Sequence, residues 1–278
     1  MAAVLMRFPG GRRKAFTMSY DDGSVHDKRF AETLARYEIK ATLNIQTREI
    51  GFDAGKLSWD EIKELAASPL LEIAVHGHRH LSLAAVEDGV AAYDVVKNRE
   101  MLEDQLGCIV RGMAYANGSV NDRVLEILSA CGMAYARTTA STEGFEVPAD
   151  FLRWNPSCHH TTPRLFDIAK TFLESEERSY PWHNRPMLFY VWGHSHEFAG
   201  EGGWELLEKL CAYVGGRDDI WYATNGEIVS YVNAYRTLIF SHDQSLVHNP
   251  SATDLFLTVD HTPYMIPAGG TVCLACSP

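Results

Sequence analysis

Short apolar runs of strand length alternate with amphipathic stretches of helix length along most of this chain, and this alternation restricts the fold more than any other feature. Strand-like runs fall at 15–19, 41–46, 72–75, 112–115, 133–138, 187–192 and 220–223. Between them, apolar spacing near 3.6 residues predicts helices at 27–37, 59–67, 86–106, 122–130, 164–173, 204–214 and 227–235. Strands separated by helices require crossover connections, so the expected class is α/β with a largely parallel sheet or barrel. Asn121 before Asp122, and Ser58 with Glu61 three residues on, read as helix N-caps, the second as a capping box. With 278 residues, 46% of them hydrophobic, the chain can fill one large core. Its longest apolar stretches are far short of the roughly 20 residues that span a bilayer, so no transmembrane segment is expected.

After residue 236 the texture changes to short β-like segments at 237–241, 246–248, 255–259 and 264–266, punctuated by Asn-Pro, Thr-Pro and Pro-Ala-Gly-Gly. The expected division is a main domain at 1–236 and a small β appendage at 237–278. A unit of this size lies near the lower limit for independent stability. It is therefore expected to pack on the main domain through Leu238, Phe240, Leu255 and Leu257.

The formal charge of −11 argues against nucleic acid, which is bound by clustered Lys and Arg. The one basic cluster, Arg12-Arg13-Lys14, reads as a solvated lead-in to a strand. Six cysteines are scattered at 108, 131, 158, 211, 273 and 276, so no disulfide framework is expected. The closing Cys273-x-x-Cys276 is weak evidence for metal or redox work. The N-terminus lacks a charged region followed by an apolar run of signal-peptide length. No export signal is expected in the chain as given, and a secreted or cell-surface origin stays open. The oligomeric state is not legible.

Two constellations carry chemistry. Tyr20-Asp21-Asp22-Gly23 stands where an apolar strand runs out, the place where barrel-like α/β folds put functional groups. Adjacent carboxylates repel unless a cation or shared proton relieves them, although a solvated Asp-Asp-Gly turn is the simpler alternative. His76-Gly77-His78-Arg79-His80 again follows an apolar strand. If that loop turns helically, His76 and His80 lie on one face and can share an ion, with His78 pointing elsewhere; such a pair also arises by chance on helix surfaces. Together the two strand ends supply two histidines and one carboxylate, a set that leaves coordination positions open.

These motifs resemble those of the polysaccharide deacetylases of carbohydrate esterase family 4, the NodB-homology enzymes, over about residues 15–235. The family's Thr-Phe-Asp-Asp-Gly is similar to Ser19-Tyr20-Asp21-Asp22-Gly23, and its His-Ser/Thr-x-x-His to His76 through His80. The resemblance implies a distorted (β/α) barrel of about seven strands, in agreement with the independent strand count. It implies Asp21 as general base and Asp22, His76 and His80 as ligands of one divalent ion. Zinc is expected first, with cobalt, nickel or manganese as alternatives.

The third motif, Phe-Arg-x-Pro-Tyr-Gly, falls on Met113-Ala114-Tyr115-Ala116-Asn117-Gly118 and departs from the pattern at most positions. Asn117 keeps the place of the residue whose backbone N–H stabilises an oxyanion, a role independent of side chain. Ala114 stands where the family has the arginine that orients the base. Arg153, where the fourth motif falls, is the expected replacement partner of Asp21, against the alternative of a surface charge beside Trp154. Of His159 and His160 at most one is expected to line the cleft, since neighbours on an extended segment point oppositely. The fifth motif places Trp192 beside the acetyl methyl and His194 as general acid, with His196 as the competing choice. Tyr115, Trp154 and Trp192 are expected to contact sugar rings, with core packing as the alternative.

The function expected from the resemblance is hydrolysis of N- or O-linked acetyl groups from an acetylated carbohydrate such as chitooligosaccharide, peptidoglycan or acetylated xylan, the last making acetylxylan esterase activity one case. A hydrolase of a small cyclic amide or other C–N bond on the same scaffold, and a non-catalytic glycan-binding relative, are the alternatives.

Overall fold

A computed structural model describes residues 3–274. The strand elements, in chain order, are β1 Val4–Arg7, β2 Lys14–Asp21, β3 Ala41–Ile45, β4 Leu71–Val75, β5 Gly112–Ala114, β6 Tyr135–Arg137, β7 Cys158–His159, β8 Met187–His194 and β9 Ile220–Tyr222. The helices are α1 Asp27–Arg36, α2 Trp59–Ala66, α3 Asp88–Leu106, α4 Asp122–Ala130, α5 Leu165–Leu173, α6 Gly203–Val214 and α7 Asn225–Arg236. All seven helical stretches expected from apolar spacing form. Ser58 with Glu61 makes the capping box, and Asn121 accepts from the Val124 N–H, so the local cap signals fix both helix starts.

β2 is the central strand, and all eight of its residues are buried. Parallel pairing runs β6-β5-β4-β3-β2-β8-β7. β9 shares an edge of β2 with β3, pairing with Lys14 to Phe16 while β3 takes Met18 to Asp21. The sheet closes on itself because the segment before β7 returns to β6. Trp154 bridges Arg137 and donates its N–H to the Ala136 carbonyl, while Ser157 donates to Tyr190 on β8. The result is a distorted seven-strand barrel wrapped by seven helices, as the strand count and the resemblance implied. β7 has only two residues and no apolar run, which is why sequence periodicity passed over it.

β10 Ile239–Phe240, β11 Leu246–His248, β12 Leu255–Val259, β13 Thr262–Ile266 and β14 Thr271–Cys273 form two small antiparallel sheets after the barrel. β1 from the N-terminus pairs with β12, so the chain's beginning completes one of them. Leu255 packs into a cluster with Ile228, Tyr231 and Val232 of α7, while Leu257 joins Val247 and Ile266. The Tyr231 hydroxyl donates to the Arg7 carbonyl and accepts from the Phe256 N–H, tying this layer to the barrel. Cys108, Cys131, Cys158 and Cys211 form no disulfide, and Cys276 lies outside the described residues. Among the described residues no helix is long and apolar enough to cross a membrane.

Candidate metal and catalytic centre

β2 delivers Asp21 to the C-terminal mouth of the barrel, and the next residue leaves the strand by an unusual route. Asp22 has φ of 83°, in the left-handed region that costs a non-glycine residue energy. Strand alternation would send Asp21 and Asp22 to opposite faces; this twist instead brings both carboxylates to one site. Gly23 continues the turn at φ 66°, where an added Cβ would also lie 3.2 Å from Ile45 Cδ1. His80 and Asn117 have positive φ as well, at 55° and 56°. Three of the eight described non-glycine residues with positive φ therefore lie around the mouth.

The loop His76 to His80 is not the helical turn expected from the four-residue spacing. It is an irregular bend made by Gly77 at φ 81° and His80, and it brings the two imidazoles to centroids 4.8 Å apart. α3 holds the bend from behind. Asp94 Oδ1 accepts from Arg79 N at 3.1 Å and Arg79 Nε at 3.0 Å, and Asn98 Oδ1 accepts from His76 N at 2.9 Å. A Cβ at Gly77 would sit 2.7 Å from Asp94 Oδ2, so only glycine fits. His78 turns away, to 2.9 Å from the Thr47 hydroxyl.

His76 Nε2 and His80 Nε2 each lie 3.5 Å from Asp22 Oδ1, and the three donors fall within 4.8 Å of one another. A tetrahedral ion with bonds of 2.0–2.1 Å has ligands about 3.3 Å apart, so the set fits a divalent metal. Two further observations agree. Asp22 Oδ1 is buried without a hydrogen-bond partner. His76 Nδ1 lies 2.9 Å from the Ala114 carbonyl, which fixes its proton there and leaves Nε2 a lone pair toward Asp22. Burial pushes the His76 pKa down, favouring the neutral form that ligates.

Asp21 is clamped from two sides. Asn44 on β3 donates to its Oδ1 at 2.9 Å, and Arg137 at the end of β6 donates from Nη2 to its Oδ2. Burial alone would raise the Asp21 pKa, but Arg137 and His76 outweigh it and hold the carboxyl below its ordinary value. Sequence reasoning assigned the clamping cation to Arg153, and the structure corrects this. Arg153 lies outside the barrel mouth with its side chain 46% exposed, donating to Asp122 at 2.6 Å. Arg137 is fully buried and stands directly across from Ala114 in the β5–β6 register. Paired residues on adjacent strands point to the same face, so the small Ala114 leaves room for a guanidinium delivered one strand over. An arginine ending an apolar strand run was the available signal.

His194 ends β8 in register with Asp21. Trp192, two residues earlier, lies on the same face with Arg137 4.5 Å above its ring. His196 does not continue the alternation, because residues 195–199 turn into a short 3-10 helix and leave it exposed. Asn117 occupies an exposed tight turn at the end of β5, its side chain donating to Ser82 at 3.1 Å. Tyr115 and Trp154 are corrected: each is 1% exposed. Tyr115 donates to the Leu152 carbonyl, and Trp154 packs on Tyr135, Phe151 and Tyr190, so neither presents a face to a sugar.

Glu197 was missed. Its Oε2 accepts from the His194 N–H at 3.0 Å and lies 3.3 Å from His194 Nδ1, 3.3 Å from His159 Nε2 and 3.6 Å from His160 Nε2. Burial works against its ionisation, yet these imidazoles hold its carboxyl well below the usual range. Burial lowers the His194 pKa and the facing carboxylates more than compensate, leaving it raised. The expectation that His159 and His160 diverge also fails. β7 ends at His159, the chain turns, and the two rings stack 4.7 Å apart on the same side. Gly193 permits this, since a Cβ there would lie 2.0 Å from His160 Nδ1.

Residues 9–136 match the sequence model described as polysaccharide deacetylase. Comparison with curated proteins finds no match. Among solved structures, a candidate polysaccharide deacetylase from Mycobacterium smegmatis is 16% identical with a TM-score of 0.61, over 85% of this chain and 96% of that one. A carbohydrate esterase family 4 pseudoenzyme from Bacillus anthracis is 15% identical with a TM-score of 0.54, over 81% and 68%. The Streptococcus pyogenes deacetylase PplD, solved with acetate, is 23% identical with a TM-score of 0.46 over 49% of this chain, which spans 61% of its length. The likenesses to the Mycobacterium smegmatis and Bacillus anthracis proteins speak to fold alone. Residues 9–136, somewhat less than half of the chain, are thus similar to the polysaccharide deacetylase family, the NodB-homology proteins of carbohydrate esterase family 4, as the motifs implied.

Proposed function

We propose that this chain is a divalent-metal-dependent hydrolase that removes acetyl groups from a polysaccharide or oligosaccharide. The observation that carries the reading is the convergence of Asp22, His76 and His80 donor atoms beside a clamped, ionised Asp21. Those three residues would hold the ion, which when bound polarises the acetyl carbonyl and acidifies a water. Zinc suits the donor set, with cobalt, nickel or manganese as alternatives.

The remaining work falls to side chains of this chain. Asp21, fixed by Asn44 and Arg137, takes a proton from the attacking water at Oδ2 or Oδ1. The turn at Asn117 offers a backbone N–H to the oxygen that gains negative charge, while Trp192 forms an apolar wall for the acetyl methyl. His194, its pKa raised by Glu197 and the aspartates, gives a proton from Nε2 to the departing nitrogen or oxygen. An amide nitrogen leaves only when protonated, so His194 matters most for N-acetyl substrates. The products are acetate and the free amine or hydroxyl.

Acetate release from chitooligosaccharides, peptidoglycan and acetylxylan, each with and without chelator, tests the reading, with a cyclic amide as the contrasting substrate. Chelator-sensitive acetate release from at least one glycan is expected. Turnover of the cyclic amide with no acetate from any glycan would replace the reading.

A further inference from the structure

Three donor atoms, one of them on His194 and none shared with Asp22, His76 and His80, form a second set with similar spacing. His159 Nε2 and His194 Nδ1 each lie 3.3 Å from Glu197 Oε2, and all three fall within 4.8 Å of one another. The corresponding separations around Asp22 are 3.5 Å. Charge-assisted N–H···O contacts are shorter, about 2.7–2.9 Å. Ligands of a tetrahedral ion with 2.0–2.1 Å bonds are about 3.3 Å apart. The second cluster therefore has the spacing of a coordination shell.

One further feature points the same way. His194 Nδ1 is buried and has no aligned hydrogen-bond partner, although the carboxylate lies beside it. His159 Nδ1 lies 2.7 Å from the Thr161 hydroxyl and accepts from the Thr161 N–H at 3.2 Å, so a cation at His159 Nε2 has to displace the proton held there. The cluster is reachable from solvent, with side chains of His159, His194 and Glu197 20%, 26% and 30% exposed.

We propose that His159, His194 and Glu197 form a second divalent-cation site, separate from the one at Asp22, His76 and His80. Binding there stands independently of the deacetylase reading; its kinetic consequence rests on that reading. A cation on Nδ1 occupies the nitrogen that must carry a proton for His194 to be an imidazolium. Metal in excess of the first equivalent therefore inhibits, by removing the acid.

Cobalt(II) is the probe, because its visible absorption reports nitrogen and oxygen ligands and lacks the thiolate charge-transfer band that cysteine binding would give. Equilibrium dialysis followed by metal analysis is expected to show two ions per wild-type chain. One ion should remain in His159→Ala, in the more conservative His159→Gln and in Glu197→Gln. Asp22→Ala should lose the first ion and keep the second, so failure of one site does not pass for failure of the other. In turnover assays His159→Gln should keep its activity at excess cobalt(II) while wild type loses most of it. Circular dichroism shows whether each variant is folded. Saturation of wild type at one ion, or two ions in folded His159→Ala and His159→Gln, would overturn the proposal. The first result would leave a hydrogen-bonded relay, with the Thr161 N–H, 3.2 Å from His159 Nδ1, setting the tautomer.

Discussion

Arg137 and Asp21, 116 residues apart in sequence, form a fully buried ion pair at the mouth of the barrel. The arginine reaches the base from β6, one strand beyond Ala114. Arg137→Ala is expected to lower kcat by roughly 10²-fold, the scale of a misplaced catalytic group. Losing the cation raises the Asp21 pKa, so the acidic limb of the kcat/KM profile should move to higher pH. Arg153→Ala should leave that limb in place, its pair with Asp122 being exposed. An unmoved limb in Arg137→Ala would show that the metal and Asn44 suffice.

The ligand set predicts that Asp22→Ala and His80→Ala each lose the tightly held ion. Asp94→Ala removes no ligand, only the anchor of the 78–80 bend, and should weaken that ion's affinity about 10–100-fold. Calorimetric titration with zinc of Glu197→Gln carrying each change isolates the first site. Unaltered affinity in the Asp94 variant would mean that the bend holds itself.

Much of this was legible in the sequence because local signals and tertiary demands agree. Apolar spacing marked every helix, capping residues marked the starts of two, and the two strand-end motifs marked Asp21, Asp22, His76 and His80. What escaped was set by register. Nothing local to Arg137 reveals that β6 places it opposite Ala114, while Arg153 stands nearer the expected motif but on the wrong side of the wall. Tyr115 and Trp154 look like sugar-stacking aromatics until the closing segment before β7 buries them. Asp94 and Asn98, four apart on α3, could have been read as a polar patch on an otherwise inward helix face. Glu197 could not, since its role depends on a turn that breaks the alternation of β8.

His194 is expected to set the basic limb of the kcat/KM profile. Burial depresses its pKa, and Glu197 with Asp21 and Asp22 overcomes that effect. Glu197→Gln removes one of those charges, so the His194 pKa falls and activity should be lost at lower pH than in wild type. His196→Ala should behave like wild type. A basic limb that moves in His196→Ala and not in Glu197→Gln would transfer the acid to His196.

Asp27 at the start of α1 is fully buried, with neither carboxylate oxygen in an aligned hydrogen bond. Burial, with Asp22 and Asp21 adding to it, raises its pKa from 3.8 to about 7. The pKa is raised above the unfolded value, so its cost to the fold is absent below about pH 4 and complete above about pH 7. Three units correspond to at most about 4 kcal/mol. Asp27→Asn should therefore stabilise the chelated protein at pH 8 by up to that amount, and little at pH 4. Urea unfolding at the two pH values measures the difference; an equal effect at both would mean that the carboxyl is neutral throughout.

The most direct test of the central claim is acetate release by Asp21→Asn beside its metal content. The amide cannot accept the water's proton, while Asp22, His76 and His80 remain to hold the ion. The expected result is full occupancy of the first site with turnover reduced by at least about 10²-fold, on whichever acetylated glycan the wild-type protein deacetylates. Wild-type rates in a folded, metal-replete Asp21→Asn would contradict the account and place the base elsewhere.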